Sequence, residues 1–128
     1  LTEHLSMMSR VYRHLVPYLK VLVEEGAERG VPVQRPLFLH FEDDPDAYSV
    51  QTQYLYGPDL LVAPVIKEGV EAREVYLPAG EYWVHLWTGA LEEGGRRLEV
   101  SAPDGRPPVF FRRDSEWREL FERVPGRD

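Results

Sequence analysis

The sequence contains no cysteine among its 128 residues. Disulfide bonds, thiolate catalysis and cysteine-ligated zinc sites are therefore excluded. The absence is compatible with a reducing compartment, and we expect a cytoplasmic protein. No segment approaches the roughly 20 apolar residues that a membrane-spanning helix needs, and the first residues lack the pattern of a signal peptide.

Basic residues are also in deficit, with 15 Lys and Arg against 22 Asp and Glu, for a net charge of −7. Nucleic acids and anionic membranes bind cationic surfaces, because binding must release their counterions. We therefore expect neither of them as a partner. The sequence also lacks a serine–histidine–acid arrangement, a glycine-rich phosphate loop and an HExxH pattern, so no cofactor is predicted.

The first half of the chain predicts a helix, a buried strand and a short helix. Through the first thirty residues, apolar side chains recur at three- and four-residue steps and form one stripe: Leu5, Met8, Tyr12, Leu15, Leu19, Leu22 and Val23. The apolar run from Pro36 to Phe41 is typical of a strand buried on both faces in a parallel sheet. Asp44 and Pro45 then predict the N-cap and first residue of a short helix that ends near Tyr56.

From Asp59 onward the pattern changes to short segments rich in Val, Tyr, Phe and Trp. Turn residues such as Pro78-Ala79-Gly80 and Gly94-Gly95 separate them. This spacing is typical of an antiparallel β-sandwich. The tail after Asp114 predicts a short amphipathic helix.

The two halves together predict an α+β fold. A strand of the parallel type needs neighbouring strands, and the sequence offers no βαβ repeat that would supply them. Residues 1–57 are therefore predicted to be the C-terminal end of a larger α/β domain. Residues 58–128 are predicted to form a β-sandwich domain with a short terminal helix.

The histidine and three carboxylates that follow the apolar run, His40, Glu42, Asp43 and Asp44, are the first candidate site. We interpret His40, Asp43 and Asp44 as candidates for the rim of a substrate pocket. The alternative is that Asp44 caps a helix, Glu42 and Asp43 are solvated and His40 is a hydrogen-bonded core residue. No metal site is predicted, because the acidic run has no glycine at the turn position that a calcium loop requires.

Two tryptophans are the second candidate site. In the alternating segment "EYWVHLWTG", Trp83, His85 and Trp87 are predicted to share one face. Aromatic rings stack on apolar sugar faces, so Trp83 and Trp87 are candidates for sugar stacking. The alternative is that the two indoles pack between sheets or against another domain.

Several segments, in order from about Tyr12 to Arg113, resemble the C-terminal part of glycoside hydrolase family 31, the α-glucosidase family. They are "RPLFLHFEDDP", "QYLYGPDLLVAPV", "EVYLPAGEYWVHLWTG" and "SAPDGRPPVFFRR". The resemblance implies that residues 1–57 are the last helix–strand–helix of a (β/α)₈ TIM barrel and that a β-sandwich follows. Since such a barrel takes roughly 250 residues, most of it would lie upstream.

Within the family, three features resemble the bacterial sulfoquinovosidases: His40 in "FLHF", the histidine of "WVHLWTG", and the ending "RPPVFFRRDSEWRELF". Family members use two catalytic aspartates, and the resemblance places both upstream of this sequence, together with the sulfonate-binding residues. No position here matches those motifs, so we assign no catalytic residue.

The leading hypothesis is therefore a C-terminal segment of a retaining α-glycosidase, either a sulfoquinovosidase or an α-glucosidase, that completes and braces the catalytic barrel and is inactive alone. Its partner would be the remainder of the barrel, in the same chain or separately encoded. The alternative is a free-standing carbohydrate-binding or interaction β-sandwich module from a split gene.

Overall fold

The computed structural model describes residues 2–65, 71–102 and 106–125, with side chains of the first helix described from residue 9 onward. Helix α1 spans Thr2–Arg29 and helix α2 spans Arg118–Glu122. The strands are β1 (Gln34–Arg35), β2 (Tyr54–Tyr56), β3 (Leu60–Val62), β4 (Ala72–Leu77), β5 (Tyr82–His85), β6 (Leu91–Glu93), β7 (Arg96–Ser101) and β8 (Val109–Arg112).

All strand pairs in the described residues are antiparallel. One sheet has six strands in the order β1-β2-β3-β8-β5-β6, and the other consists of β4 and β7. The antiparallel domain predicted from the sequence is therefore confirmed. Helix α1 covers the outer face of the larger sheet, so the chain has three layers.

Alternation along the central strands divides the core in two, because successive strand residues point to opposite faces. Leu60 and Phe111 lie in a cluster with residues of α1 and α2. Their neighbours Leu61 and Phe110 lie in a second cluster, between the two sheets. The six-stranded sheet is therefore buried on both faces at its centre.

Helix α1 buries a stripe that differs from the predicted one. The buried residues are Val11, Leu15, Tyr18 and Leu22, at steps of four, three and four. Tyr12 and Val23 were expected to face inward, but they are 66% and 58% exposed. Leu5 and Met8 lie outside the described side chains. The helix is apolar on more than one face, so the period alone could not decide which face meets the sheet.

The segment predicted as a parallel-type strand is not a strand. Only Gln34–Arg35 of this part of the chain forms a strand, and it pairs antiparallel with β2. Pro36 has no N–H to donate to a ladder, and a 3₁₀ turn follows at Leu37–Leu39. Leu37 is buried, whereas Phe38 and Leu39 are 40% and 45% exposed. A short apolar run has no periodicity that separates strand from helix, and here this ambiguity produced the error.

The prediction of a short helix from Asp44 to near Tyr56 is half right. Asp44 caps a 3₁₀ helix that begins at Pro45, as predicted, but this helix ends at Tyr48. Residues Tyr54–Tyr56, expected to be helical, form β2 in the six-stranded sheet.

Tyr18 joins α1 to the sandwich. Its ring is buried and its hydroxyl donates to the carbonyl of Tyr56 at 2.5 Å. The same oxygen accepts the backbone N–H of Asp59 at 3.2 Å. Burial, the largest influence, raises the pKa of this phenol, so the hydroxyl keeps its proton. Helix and sheet are therefore tied by hydrogen bonds as well as by packing.

Candidate functional site

The predicted rim residues meet at one cavity. His40, Asp43 and Asp44 line a space of about 490 Å³ between the segment 40–45 and the β4–β5 turn at 79–81. The same walls carry the carboxylates of Glu42 and Glu81. The lining is therefore rich in carboxylates, and its field disfavours anionic ligands.

Asp44 is the buried member of this group, at 7% exposure. One carboxylate oxygen accepts from the Tyr76 hydroxyl and from the backbone N–H of Ala79 at 2.9 Å. The other accepts the N–H of Asp46 at 3.0 Å, as an N-cap does. Both oxygens therefore hold the 3₁₀ helix and the β4–β5 turn together, and neither is free to act as a base or nucleophile.

Two opposing influences set the ionisation of Asp44. Burial acts to raise its pKa, but the hydrogen bonds from Tyr76, Ala79 and Asp46 outweigh burial and hold the pKa below its usual value. The pKa of Tyr76 is raised, first by burial and then by its hydrogen bond to Asp44. The pair therefore consists of an ionised carboxylate and a neutral phenol across the neutral pH range.

Replacing Asp44 with asparagine should lower the free energy of unfolding by about 1–3 kcal/mol at neutral pH, because charge-assisted hydrogen bonds are lost. A depressed carboxyl pKa gives stability that is present above its unfolded value, about 3.8, and that is lost as the pH falls through the folded value. The difference between wild type and Asp44→Asn in urea titrations should therefore shrink below about pH 4.

Asp43→Asn is the matched control. Asp43 is adjacent and exposed, so its replacement should change the unfolding free energy by less than about 0.5 kcal/mol. Equal effects of the two substitutions, or a pH-independent cost for Asp44→Asn, would contradict the assignment of Asp44 as the ionised anchor.

His40 lies at the opposite end of the acidic segment, where it is the C-cap of the first 3₁₀ turn. Its Nε2 atom is 2.9 Å from Nη1 of Arg35. Arg35 is 2% exposed and also donates to Glu25 at 2.7 Å and to the carbonyl of Pro32 at 2.6 Å. Arg35 was not among the candidates predicted from the sequence, although an arginine next to a buried apolar run signals a charge that needs partners.

The structure buries both tryptophans that were candidates for sugar stacking. Trp83 is 0% exposed, lies in the core between the sheets, and donates its indole N–H to the carbonyl of Pro78 at 3.1 Å. Trp87 is 4% exposed and donates to the carbonyl of Pro107 at 2.8 Å. Neither indole has an open face for a sugar in this chain.

The expected common face for the two indoles is also wrong. Strand β5 ends at His85, and alternation applies only within a strand. The turn that follows is closed by a hydrogen bond from the N–H of Gly89 to the carbonyl of His85 at 2.8 Å. Trp87 therefore packs in the helix-side core, beside a cavity of about 300 Å³. The guanidinium of Arg106 lies 5.3 Å from its ring centre.

Across the described side chains of residues 9–65, 71–102 and 106–125, no group of three or more His, Asp or Glu is placed to hold a metal ion. Within the same ranges, no helix has the length and apolar character needed to cross a membrane.

Comparison with known proteins gives consistent matches. The model of the family described as "Glycosyl hydrolase family 31 C-terminal domain" matches residues 30–115. The sulfoquinovosidase of Agrobacterium fabrum is 52% identical over 121 residues, which are 94% of this chain and 18% of that protein. The sulfoquinovosidase of Escherichia coli is 52% identical over 118 residues, 92% of this chain and 17% of that protein.

Solved structures give the same result. A family 31 sulfoquinovosidase from E. rectale, in complex with an aza-sugar inhibitor, superposes with a TM-score of 0.85 at 50% identity. The match covers 89% of this chain and 17% of that one. An α-xylosidase from a soil metagenome, complexed with xylose, has a TM-score of 0.82 at 38% identity over 85% of this chain and 16% of that one. The chain spans less than a fifth of the length of these relatives.

Proposed function

This chain belongs to glycosyl hydrolase family 31, and on that premise we propose that it is the C-terminal segment of a retaining α-glycosidase that acts on sulfoquinovosides. The observation that carries the proposal is the 52% identity with two sulfoquinovosidases over more than nine-tenths of the chain. Identity with the α-xylosidase and α-glucosidase of Saccharolobus solfataricus is lower, at 38% and 42%, and covers 80% and 78% of the chain.

The proposed role of the segment is structural. Helix α1 packs on the sandwich through one face, while Tyr12, Val16 and Val23 on its other faces are exposed. We propose that the upstream part of a TIM barrel covers these residues, and that residues 1–57 complete this barrel. Since β1 joins the sandwich sheet and the family match begins at residue 30, α1 is the element to which this proposal applies most directly.

The segment is proposed to be inactive alone. A retaining glycosidase needs two carboxyl groups about 5–5.5 Å apart, one of them as a free nucleophile. The buried carboxylate at the candidate site, Asp44, is occupied by structural hydrogen bonds. The cavity beside it carries carboxylates and would repel a sulfonate. The catalytic aspartates and the sulfonate-binding residues are therefore proposed to lie upstream, in the cytoplasmic enzyme of which this chain is part.

The alternative, a free-standing carbohydrate-binding module, depended on Trp83 and Trp87 as a sugar-stacking surface. Their burial removes that support, because a ring that is 0% or 4% exposed cannot stack on a ligand without unpacking the core.

The first test is the size of the native polypeptide, by immunoblot of the source cells with an antibody against this segment. We expect a band several times larger than 14.9 kDa. That polypeptide, once purified, should hydrolyse an α-sulfoquinovoside with a kcat/KM at least about 100-fold above that for the matching α-glucoside. The segment alone should hydrolyse neither.

Two outcomes would count against the proposal. A native band at 14.9 kDa with no associated polypeptide would exclude the role as part of a larger glycosidase. A large polypeptide that prefers the α-glucoside would keep the family assignment and overturn the substrate.

A further inference from the structure

The acidic segment His40–Asp44 is held at both ends by groups that titrate differently. At one end, Asp44 accepts from Tyr76, Ala79 and Asp46. At the other, His40 contacts the buried guanidinium of Arg35. Between them, Phe41 rests against Trp83, with ring centres 5.7 Å apart. The segment forms one wall of the 490 Å³ cavity, so its attachment determines the shape of that cavity.

The contact between Arg35 and His40 requires a neutral histidine. A guanidinium has only donors and stays protonated, so Nε2 of His40 must be the acceptor and its proton must lie on Nδ1. A protonated imidazole has no acceptor and would place a second cation beside the first. Because Arg35 is 2% exposed, its Nη1 could not turn to water in compensation.

The surroundings of His40, taken together, favour its neutral form. Burial is the largest influence that lowers its pKa, followed by the positive charges of Arg35 and Arg112. The carboxylates of Asp59 and Glu25 act in the opposite direction and are outweighed. The other carboxylates that line the cavity with His40 are on its own segment and on the turn opposite: Glu42, Asp43, Asp44 and Glu81.

We propose that neutral His40 and ionised Asp44 hold the two ends of the segment 40–44 in place, and that acidification releases the His40 end first. Below about pH 6.5, protonation is coupled to loss of the Arg35 contact, because only the released imidazole takes up a proton easily. The Asp44 end stays attached down to about pH 4, since its hydrogen bonds hold the pKa of Asp44 below its usual value of about 3.8. Between about pH 6.5 and about pH 4, the cavity wall is therefore released at His40 and remains attached at Asp44.

Backbone amides report directly on this release. The N–H groups of Leu39 and His40 donate to Pro36 and Leu37 at 3.2 and 3.3 Å, and that of Asp44 donates to Phe41 at 3.1 Å. Loss of the His40 end should expose the first two amides to solvent exchange and loosen the third. The amide of Ala47, which donates to Asp44 within the capped helix at 3.1 Å, should stay protected.

The experiment is hydrogen exchange with mass spectrometry on the full polypeptide that carries this chain, corrected for the intrinsic pH dependence of exchange. Peptides that cover residues 36–48 are compared at about pH 7.5 and about pH 5.5. In the wild type, protection of residues 39–44 should fall at least about fivefold at the lower pH. In His40→Gln, whose side-chain oxygen accepts from Arg35 without titrating, protection should change less than about twofold.

Two further variants complete the design. His40→Leu removes the acceptor, so protection should be low at both pH values. His14→Gln is the matched control, because His14 contacts the carbonyl of Leu120 at 2.6 Å, away from the segment; it should keep the wild-type response. The proposal is overturned if wild-type protection does not change with pH, or if His40→Gln loses protection as the wild type does. The readout needs no substrate, so it stands apart from the proposed activity.

Discussion

Replacing Trp83 with alanine is expected to lower the free energy of unfolding by about 3–5 kcal/mol, as for other buried large-to-small substitutions. The indole is fully buried between the two sheets, among Leu61, Val75 and Phe110, and its N–H donates to the carbonyl of Pro78. Alanine would leave a cavity lined by apolar side chains and an unsatisfied carbonyl. Urea titration followed by far-UV circular dichroism measures the loss.

Tyr82→Ala is the control on the same strand. Tyr82 faces the other way, is 41% exposed, and contacts the guanidinium of Arg113 at 4.4 Å from its ring centre. Its removal should cost no more than about 1 kcal/mol. A Trp83→Ala protein with wild-type stability and weakened sugar binding would contradict the packing role and restore the stacking hypothesis.

Gly57→Ala should destabilise the protein by about 2–5 kcal/mol, from a left-handed backbone and a steric overlap that add. Gly57 has a φ of +65°, where a side chain is strained. A Cβ there would overlap the side chains of Leu22 and Tyr18 on α1. The methyl group would push away the Tyr18 hydroxyl that bonds to Tyr56 and Asp59 and would separate α1 from the sandwich.

Gly30→Ala isolates the backbone contribution. Gly30 has a similar φ of +72°, but a Cβ there would meet no atom within 4 Å. Its replacement should therefore cost only about 1–2 kcal/mol. Thermal unfolding of both variants measures the difference, and equal shifts in Tm would show that the close approach of α1 to Gly57 carries no extra cost.

The antiparallel domain was predictable because its signals are local. Alternating Val, Tyr and Trp residues with turn glycines between them favour hairpins wherever they occur. The helix from Thr2 to Arg29 was likewise evident from its period. Asp44 and Pro45 were read correctly as cap and first helical residue, since a side chain that bonds to an amide two residues on needs no distant partner.

The errors arose where the sequence pattern is compatible with more than one arrangement. The face that α1 buries depends on the sheet beneath it, and its stripe is centred on Tyr18 because that hydroxyl meets groups of Tyr56 and Asp59. The apolar run after Arg35 carries no period, and the proline that breaks the ladder turns it into a 3₁₀ helix. Trp87 left the predicted face because β5 ended two residues earlier.

By itself, the sequence determined the family, the antiparallel architecture, the long helix and the position of the acidic segment, because these depend on short-range pattern and on residue identity. Beyond the capping role of Asp44, the roles of the candidate residues depend on the tertiary structure. It placed Arg35 against His40, Tyr76 against Asp44 and Trp83 inside the core. Arg35 and His40 are five positions apart, but Tyr76 and Asp44 are 32 positions apart. Burial and hydrogen-bond satisfaction are properties of the assembled layers, and no local window of sequence contains them.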